Sequence, residues 1–402
     1  MDIMRAYKTK LRVNNRERGT LGQCAGAARF VYNWALADRI QHYKAGTPTT
    51  RFSQAKRFTA LKYDEFPWLL ELPFSLTEYA FRNLDTAYKN FFRRCKQGAE
   101  KKGFPKFKTR QKSTPSFTLR GIKVEHDRIR LPVLGWFRLA EKRYLPTDGN
   151  GARALSVTVS EKAGNWYVSL QVEQAAIEPP PATGDPLGVD LGIKELAVCS
   201  DGTTFENPRI LRKYERQLAR LQRELARRTR GGQNWKKTKA KIAKLHNRIA
   251  NVRRYAQHNV SHTVTADRRP RAIVLEDLNV KGMVKNRTLS KAISDASFGE
   301  LRRQISYKAE WNGIELHLAD RFFASSKTCS ECGAKKALLK LSERTYCCED
   351  CGCVLDRDLN AARNLAALAE PVSNGGLPVE LGAQLGPTVK QEAGSIAEAC
   401  HA

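Results

Sequence analysis

Two cysteine pairs constrain this chain more tightly than any other feature of its sequence. They are Cys329-Ser-Glu-Cys332-Gly333 and Cys348-Glu-Asp-Cys351-Gly352, with fifteen residues between them. Two such knuckles let four thiolates converge tetrahedrally on one ion, and each trailing glycine relieves the tight turn behind its pair. A four-thiolate site has no open coordination position, so it predicts a structural zinc ribbon rather than a reactive centre. Cys347 and Cys353 lie close enough in sequence to compete as ligands, but only Cys348 and Cys351 repeat the paired spacing with a glycine behind it. The chain has 10 Cys in all. Met1 to Asn15 lacks a signal-peptide core, and no apolar run approaches the ~18–20 residues of a membrane helix. The expectation is a soluble, intracellular protein with no membrane contact, whose cysteines are thiols or metal ligands rather than disulfides.

Charge supplies the second constraint. The 402 residues carry 70 Lys+Arg against 41 Asp+Glu, a net charge of +29. Hydrophobic residues at 41% argue against wholesale disorder, so the surplus predicts a folded protein with a polyanionic partner. The length suggests two or three domains. From Arg209 to Arg254 seventeen Lys/Arg face two acids, Glu215 and Glu224. Apolar residues there recur at 3-4-3-4 spacing (Leu211, Tyr214, Leu218, Leu221, Leu225) and, after Gly231-Gly232, at 3-4-3 (Ile242, Leu245, Ile249, Val252). This predicts two helices in an antiparallel hairpin, sharing one apolar seam and presenting basic outer faces. Solvated helices usually interleave Glu with Lys, whereas unrelieved positive charge repels itself unless phosphate screens it.

The amino-terminal third reads as helical and aromatic, with Ser75-Leu76-Thr77-Glu78 as a capping-box match. The helix it opens runs into a basic stretch from Lys89 and Arg93 through Lys106 and Lys108 to Lys112, interleaved with Phe104 and Phe107. Such interleaving suits phosphate contact with base stacking. Between about Gly121 and Glu173 the period becomes two, predicting a small antiparallel sheet or barrel. The Pro179-Pro180-Pro181 run marks a boundary. Beyond it lie short apolar strands around Gly188-Val189-Asp190 and Ala272-Ile273-Val274-Leu275-Glu276. After about Ala369 periodicity is lost, which predicts a disordered tail.

Three acids stand where strands or a helix begin or end: Asp190, Glu276 and one of Asp356 or Asp358. Singly, each reads as readily as a cap, turn residue or ion-pair partner. Together, in a cationic protein, carboxylates kept in apolar strands suggest a hard-metal site for phosphodiester displacement assisted by two Mg²⁺ ions.

The segments Gly188-Val189-Asp190-Leu191-Gly192, Leu275-Glu276-Asp277-Leu278-Asn279, Ser325-Ser326-Lys-Thr-Cys329-Ser-Glu-Cys332-Gly333 and Asp356-Arg357-Asp358-Leu359-Asn360-Ala361-Ala362-Arg363-Asn364 resemble the TnpB family of transposon-encoded, RNA-guided DNA nucleases. Upstream, Ala28-Arg29-Phe30-Val31-Tyr32-Asn33-Trp34 and Gly103-Phe104-Pro105-Lys106-Phe107-Lys108 resemble its amino-terminal motifs. The resemblance implies an α/β RuvC-like nuclease domain of RNase H fold (187–324 and 354–369), containing the basic helical hairpin at 209–256. It implies an inserted zinc ribbon (325–353) and a linker at 179–186. A β-barrel wedge (1–10 and 121–178) would hold an inserted helical recognition lobe (11–120), and 370–402 would be tail. It places catalytic, magnesium-holding acids on Asp190, Glu276 and Asp358, and zinc ligands on Cys329, Cys332, Cys348 and Cys351.

The implied partners are a transposon-derived guide RNA and target DNA, in the cytoplasm of a prokaryotic cell at its nucleoid. Candidate nucleic-acid contacts are Lys89, Arg93, Lys106, Lys108, Arg220, Arg223, Arg227, Arg228, Lys236 and Lys237. Two rivals share this framework. A strand-transfer transposase of the same fold would usually run Asp, Asp, Glu rather than Asp, Glu, Asp. A non-cleaving RNA-guided repressor would lack one or more of the acids, and all three are present.

Overall fold

A computed structural model describes residues 2–147, 152–175, 179, 181–340 and 343–369. The expected tail at 370–402 lies outside the described residues. The chain divides into two compact units, Met1–Ile177 and Glu178–Ala402. The boundary thus falls at the proline run.

The first unit opens with β1 (Asp2–Arg12), followed by helices α1 (Asn15–Lys44), α2 (Arg51–Asp64) and α3 (Phe74–Lys96). Strands β2 (Ser116–Leu119), β3 (Lys123–Val124), β4 (Arg128–Leu131), β5 (Gly135–Leu139), β6 (Ala152–Lys162) and β7 (Asn165–Ala175) complete it. These strands form one seven-stranded sheet in the order β2-β6-β7-β1-β5-β4-β3. The alternation seen in sequence is the alternation of burial: Val157, Val159, Val168, Leu170 and Val172 are buried. Phe58, Phe81 and Trp34 meet edge-on or tilted in the helical part of the same core.

Two expectations are corrected here. The sheet already includes residues up to Arg12 and from Ser116, so the helical insertion is shorter at both ends than 11–120. Ser75-Leu76-Thr77-Glu78 is not a capping box, because α3 starts behind Pro73 and has no side-chain cap. Ser75 instead accepts a bond from the Arg120 N–H, and Glu78 pairs with Arg82 and Arg120. True capping boxes sit at Asn14/Glu17 on α1 and Thr50/Ser53 on α2.

The second unit contains β8 (Leu187–Asp190), β9 (Glu195–Cys199), β10 (Thr204–Glu206), α4 (Ile210–Ala226), α5 (Gln233–His262) and β11 (Ala272–Glu276). It continues with α6 (Val280–Met283), α7 (Ser290–Ala296), α8 (Phe298–Trp311), β12 (Glu315–Ala319), β13 (Thr345–Cys347), β14 (Val354–Asp356) and α9 (Arg357–Ala367). A five-stranded sheet runs β10-β9-β8-β11-β12. Its first three strands are antiparallel, and β11 lies parallel to both β8 and β12. The central strands are buried up to their terminal acids, Asp190 and Glu276, matching the apolar run before each.

Helices α4 and α5 form the expected hairpin, closing on Leu221, Leu245 and Ile249 with Tyr214, Leu218, Ile242 and Val252 against them. Gly231 supplies the positive φ of +86° at the turn. Helix α5 continues to His262, past the expected end at 256. Gly184 bridges to Pro270, so the carboxyl end of the expected linker already belongs to this unit. The ribbon's own two strands, β13 and β14, pair as far as Asp356, beyond the expected limit at 353. Among the described residues no helix is long and apolar enough to cross a membrane.

Gly188 on β8 lets the backbone of α9 come close to the strand. A Cβ on Gly188 would stand 1.9 Å from the Ala362 carbonyl oxygen and 2.5 Å from the Ala366 nitrogen. Ala361 and Ala362 are buried, so the helix comes down on the strand through small side chains. Gly188→Ala should therefore push α9 away, lower stability by about 1–3 kcal/mol, and lower the melting temperature. Gly22→Ala in α1, where a Cβ meets nothing within 4 Å, should stabilise by about 0.5–1 kcal/mol. Thermal melting of the two variants beside the parent checks both signs.

Candidate active site and metal centre

Strand register brings the first two acids together. Val189 on β8 is level with Leu275 on parallel β11, so the next residues, Asp190 and Glu276, leave adjacent strands at the same carboxyl edge. This is the edge where open α/β sheets usually hold their ligands. The third acid arrives on α9. Asp356 has β-region backbone angles and its Oδ1 accepts from the Asp358 and Leu359 N–H groups at 2.9 and 3.2 Å. It is therefore the helix cap, committed to orphan backbone donors. Asp358, one residue into the helix, is set back from solvent and close to the Arg344 and Arg357 guanidinium groups, at 3.9 and 3.7 Å.

Electrostatics link the three carboxylates. Burial pushes the Asp190 carboxyl up to about 8, and the charges of Glu276 and Asp358 push in the same direction. The Arg357 cation and a bond from the Leu191 N–H oppose the rise. Like charges held together at a partly buried edge favour a proton or a cation between them. The donor set is all oxygen, which fits a hard divalent ion.

Glu276 and its neighbour Asp277 meet very different partners. Glu276 Oε1 accepts a short bond from the Ser325 hydroxyl. Asp277 is held by Arg302 at 2.9 Å and also by Arg321, and both hydrogen bonds draw its carboxyl below the usual range. Asp277 is thus committed to two ion pairs, whereas Glu276 meets a neutral hydroxyl donor. Ser325 was part of a motif quoted from the sequence, but nothing in its spacing marked it as a partner of Glu276.

The four expected cysteines also converge. The sulfurs of Cys329, Cys332, Cys348 and Cys351 all lie within 4.8 Å of one another. Cys329 Sγ is 3.7 Å from Cys351 Sγ, and Cys332 Sγ is 3.5 Å from Cys348 Sγ. Burial disfavours the Cys329 thiolate, yet N–H groups of Cys332 and Glu331 and the thiols of Cys332 and Cys351 bring it down to about 7. Four thiols, one already poised to ionise, fit a tetrahedral zinc ion. Cys347 is exposed on β13 and stays outside the quartet. Cys353 is also outside it, its carbonyl accepting from the Cys348 N–H. Beneath the quartet the buried Tyr346 fills a small core with Ala334 and Leu339.

The candidate nucleic-acid contacts divide in two. Arg220 and Arg223 are exposed on the last turns of α4 and Arg227 at its carboxyl cap; with Glu224 and Arg228 they line an open cavity of about 440 Å³. Arg228 is half-buried and pairs with Glu224, which also accepts from Thr238 of α5, so this arginine braces the hairpin. Lys236 and Lys237 are exposed near the start of α5. In the first unit Arg93 and Lys106 are exposed, and Lys89 is exposed but within 3.4 Å of Asp85. Lys108 differs from its neighbours. Its Nζ lies 4.0 Å from the Tyr32 ring centroid, burial lowers its pKa, and Asn33 bonds both its N–H and its carbonyl.

Three family models match segments of the chain. One described as "Probable transposase" (OrfB_IS605) covers residues 157–287, and a "Cas12f1-like, TNB domain" covers 298–365. A "Helix-turn-helix domain" of the same OrfB_IS605 group covers 1–47. In this chain those last residues form β1 and a single unbroken helix, α1, instead of two helices.

A Streptomyces pristinaespiralis protein named "Putative RNA-guided DNA endonuclease" is 36% identical over 378 residues, covering 91% of this chain and 89% of its own. The Escherichia coli K12 "Putative RNA-guided DNA endonuclease InsQ" is 32% identical, covering 96% of this chain and 97% of its own. A solved Cas12f1–sgRNA–target DNA complex shares the fold, at 13% identity and a TM-score of 0.52 over 91% of this chain and 99% of the other. Identity at this level along nearly the full length of both relatives shows that the chain belongs to the OrfB_IS605/TnpB family.

Proposed function

We propose that this chain is an RNA-guided, divalent-metal-dependent DNA endonuclease with a RuvC-like active site on an RNase H-type sheet. The observation that carries the reading is that Asp190 and Glu276 leave adjacent strands at one edge, where burial and the charges of Glu276 and Asp358 together raise Asp190. Its sheet order, three antiparallel strands followed by two parallel ones, supports the fold assignment. The names of its relatives support a guide RNA and a target DNA as partners.

In this reading the three carboxylates hold magnesium. A pair of such ions, when bound, activates a water and stabilises the leaving 3′ oxygen of an in-line displacement. Asp190 and Glu276 orient from adjacent strands, and Asp358 closes the site from α9. Asp356 keeps that helix start intact. Cys329, Cys332, Cys348 and Cys351 hold zinc, which replaces a core too small to form alone. The exposed faces of the α4–α5 hairpin and of the Lys89–Lys112 stretch grip nucleic-acid backbones, while sequence is read by guide pairing.

Asp190→Ala, Glu276→Ala and Asp358→Asn should each slow DNA cleavage about a thousandfold or more, the rate equivalent of the several kcal/mol a bound cation contributes. Guide-RNA and target binding should stay near the parent's level. Asp356→Asn keeps a capping side chain and should keep cleaving. Cleavage assays on the guide-loaded protein decide the matter. Activity in Asp358→Asn together with its loss in Asp356→Asn would move the third acid by two positions.

Metal analysis should find about one zinc per chain, as a single four-thiolate site requires. Cys329→Ser and Cys351→Ser should lose it and become poorly soluble, whereas Cys347→Ser should retain it. Well-folded, zinc-free parent protein would remove zinc from the reading.

Binding should weaken steeply with salt, since each neutralised phosphate contributes about −0.7 to −0.9 to the log–log slope. Replacing Arg220, Arg223 and Arg227 together by Gln should flatten the slope by up to about three contacts' worth. Arg228 is left in place because it pairs with Glu224. Equal slopes for parent and variant, with guide RNA alone and with the RNA–DNA target, would make the hairpin's charge a solvated face.

A further inference from the structure

Glu276 is a proposed metal ligand held by a neutral side-chain donor. The loop leaving β12 carries Ser325, buried at 4% exposure, and its hydroxyl donates to Glu276 Oε1. A hydroxyl fixes a carboxylate's rotamer without cancelling its charge. An arginine in that place would compete with a cation, as Arg302 and Arg321 neutralise the adjacent Asp277. The serine is itself anchored. Its carbonyl accepts from Asn364 Nδ2 at 2.7 Å, and the same amide donates to the Thr328 carbonyl at 2.7 Å. Asn360, fully buried on the same helix, donates to Thr328 O at 2.7 Å and accepts from Ser330 N–H at 2.9 Å, inside the first cysteine knuckle.

From this geometry we infer that Ser325 is a positioning residue that holds Glu276 in its cation-binding orientation, with its own place fixed by Asn364 on the helix that carries Asp358. The inference rests on the acid site proposed above. One buried network then ties the root of the ribbon, the third-acid helix and the second acid together. Displacing the first knuckle disturbs Glu276 through the backbone of Ser325. The ribbon thereby affects cleavage without contributing a group that touches the reacting phosphate. Partners that orient a ligand in this way typically affect metal affinity or activity by about 10–100-fold.

The test compares Ser325→Ala, Ser325→Thr and Glu276→Gln in the full chain. Cleavage by the guide-loaded protein is measured against Mn²⁺ concentration. Mn²⁺ binding to the protein alone is followed by the spin-resonance signal of the free ion. Zinc content, melting temperature and guide-RNA binding are measured on the same samples. Ser325→Ala should raise the half-saturating Mn²⁺ concentration about tenfold or more, weaken Mn²⁺ binding to match, and leave zinc, melting and RNA binding unchanged. Ser325→Thr, which keeps the donor, should restore the parental Mn²⁺ dependence.

Parental Mn²⁺ dependence in Ser325→Ala would overturn the inference. So would loss of zinc or of guide RNA in that variant, since the serine would then serve folding. Glu276→Gln separates the two levels. If it cleaves normally, the proposed acid site fails; if it is inactive while Ser325→Ala is parental, only the role of Ser325 fails.

Discussion

The second unit is organised around an electrostatic problem: Asp190 and Glu276 share one strand edge, and Asp358 acts on the charge of Asp190 from α9. Burial and the charges of Glu276 and Asp358 together push Asp190 up to about 8. Each unit of such a shift corresponds to about 1.4 kcal/mol between protonation states, so this edge favours a proton or a cation at Asp190. Rigid elements have to hold that edge. Asp190 and Glu276 sit on buried, hydrogen-bonded parallel strands whose register cannot slip without turning apolar residues outward.

The third carboxylate needs a different solution because it comes from a helix reached only after the ribbon. That helix is located by contact with β8 at Gly188, where no side chain larger than hydrogen fits beneath Ala362 and Ala366. The ribbon's β14 pairs with β13 up to Asp356, and the same residue caps α9. One aspartate therefore ends the ribbon's sheet and begins the helix that presents the next one. Asn360 and Asn364 then stitch the helix to the knuckle and to Ser325. These amides are buried and paired, which makes the junction specific as well as stable.

Much of this was legible in the sequence, for identifiable reasons. Cysteine knuckles, apolar strands and the 3-4 rhythm of the hairpin are local patterns, and local spacing dictates what they can form. The four cysteines converge as their spacing required, and the hairpin seam closes on the residues its period selected apart from Leu225, with Ile210 added. What escaped depends on contacts between distant segments. Ser325 meets Glu276 across 49 residues, and Arg228 is held by a glutamate that also bonds another helix. The false capping box at Ser75 failed because Pro73 had already started the helix, leaving the serine inside its first turn. Lys108 looked like its basic neighbours, but Asn33 clasps its backbone and Tyr32 receives its ammonium group.

The ambiguity between neighbouring acids shows why residue type alone could not define the site. Glu276 and Asp277, like Asp356 and Asp358, differ by one or two positions and carry the same charge. In each pair one acid is already committed, Asp277 to two arginines and Asp356 to the amide hydrogens of α9. The other is placed to act on the charge of Asp190. An acid that has satisfied its charge with an arginine or a helix end has little left to offer a cation. By that criterion the proposed reading assigns metal to Glu276 and Asp358, and the committed acids hold the frame around them.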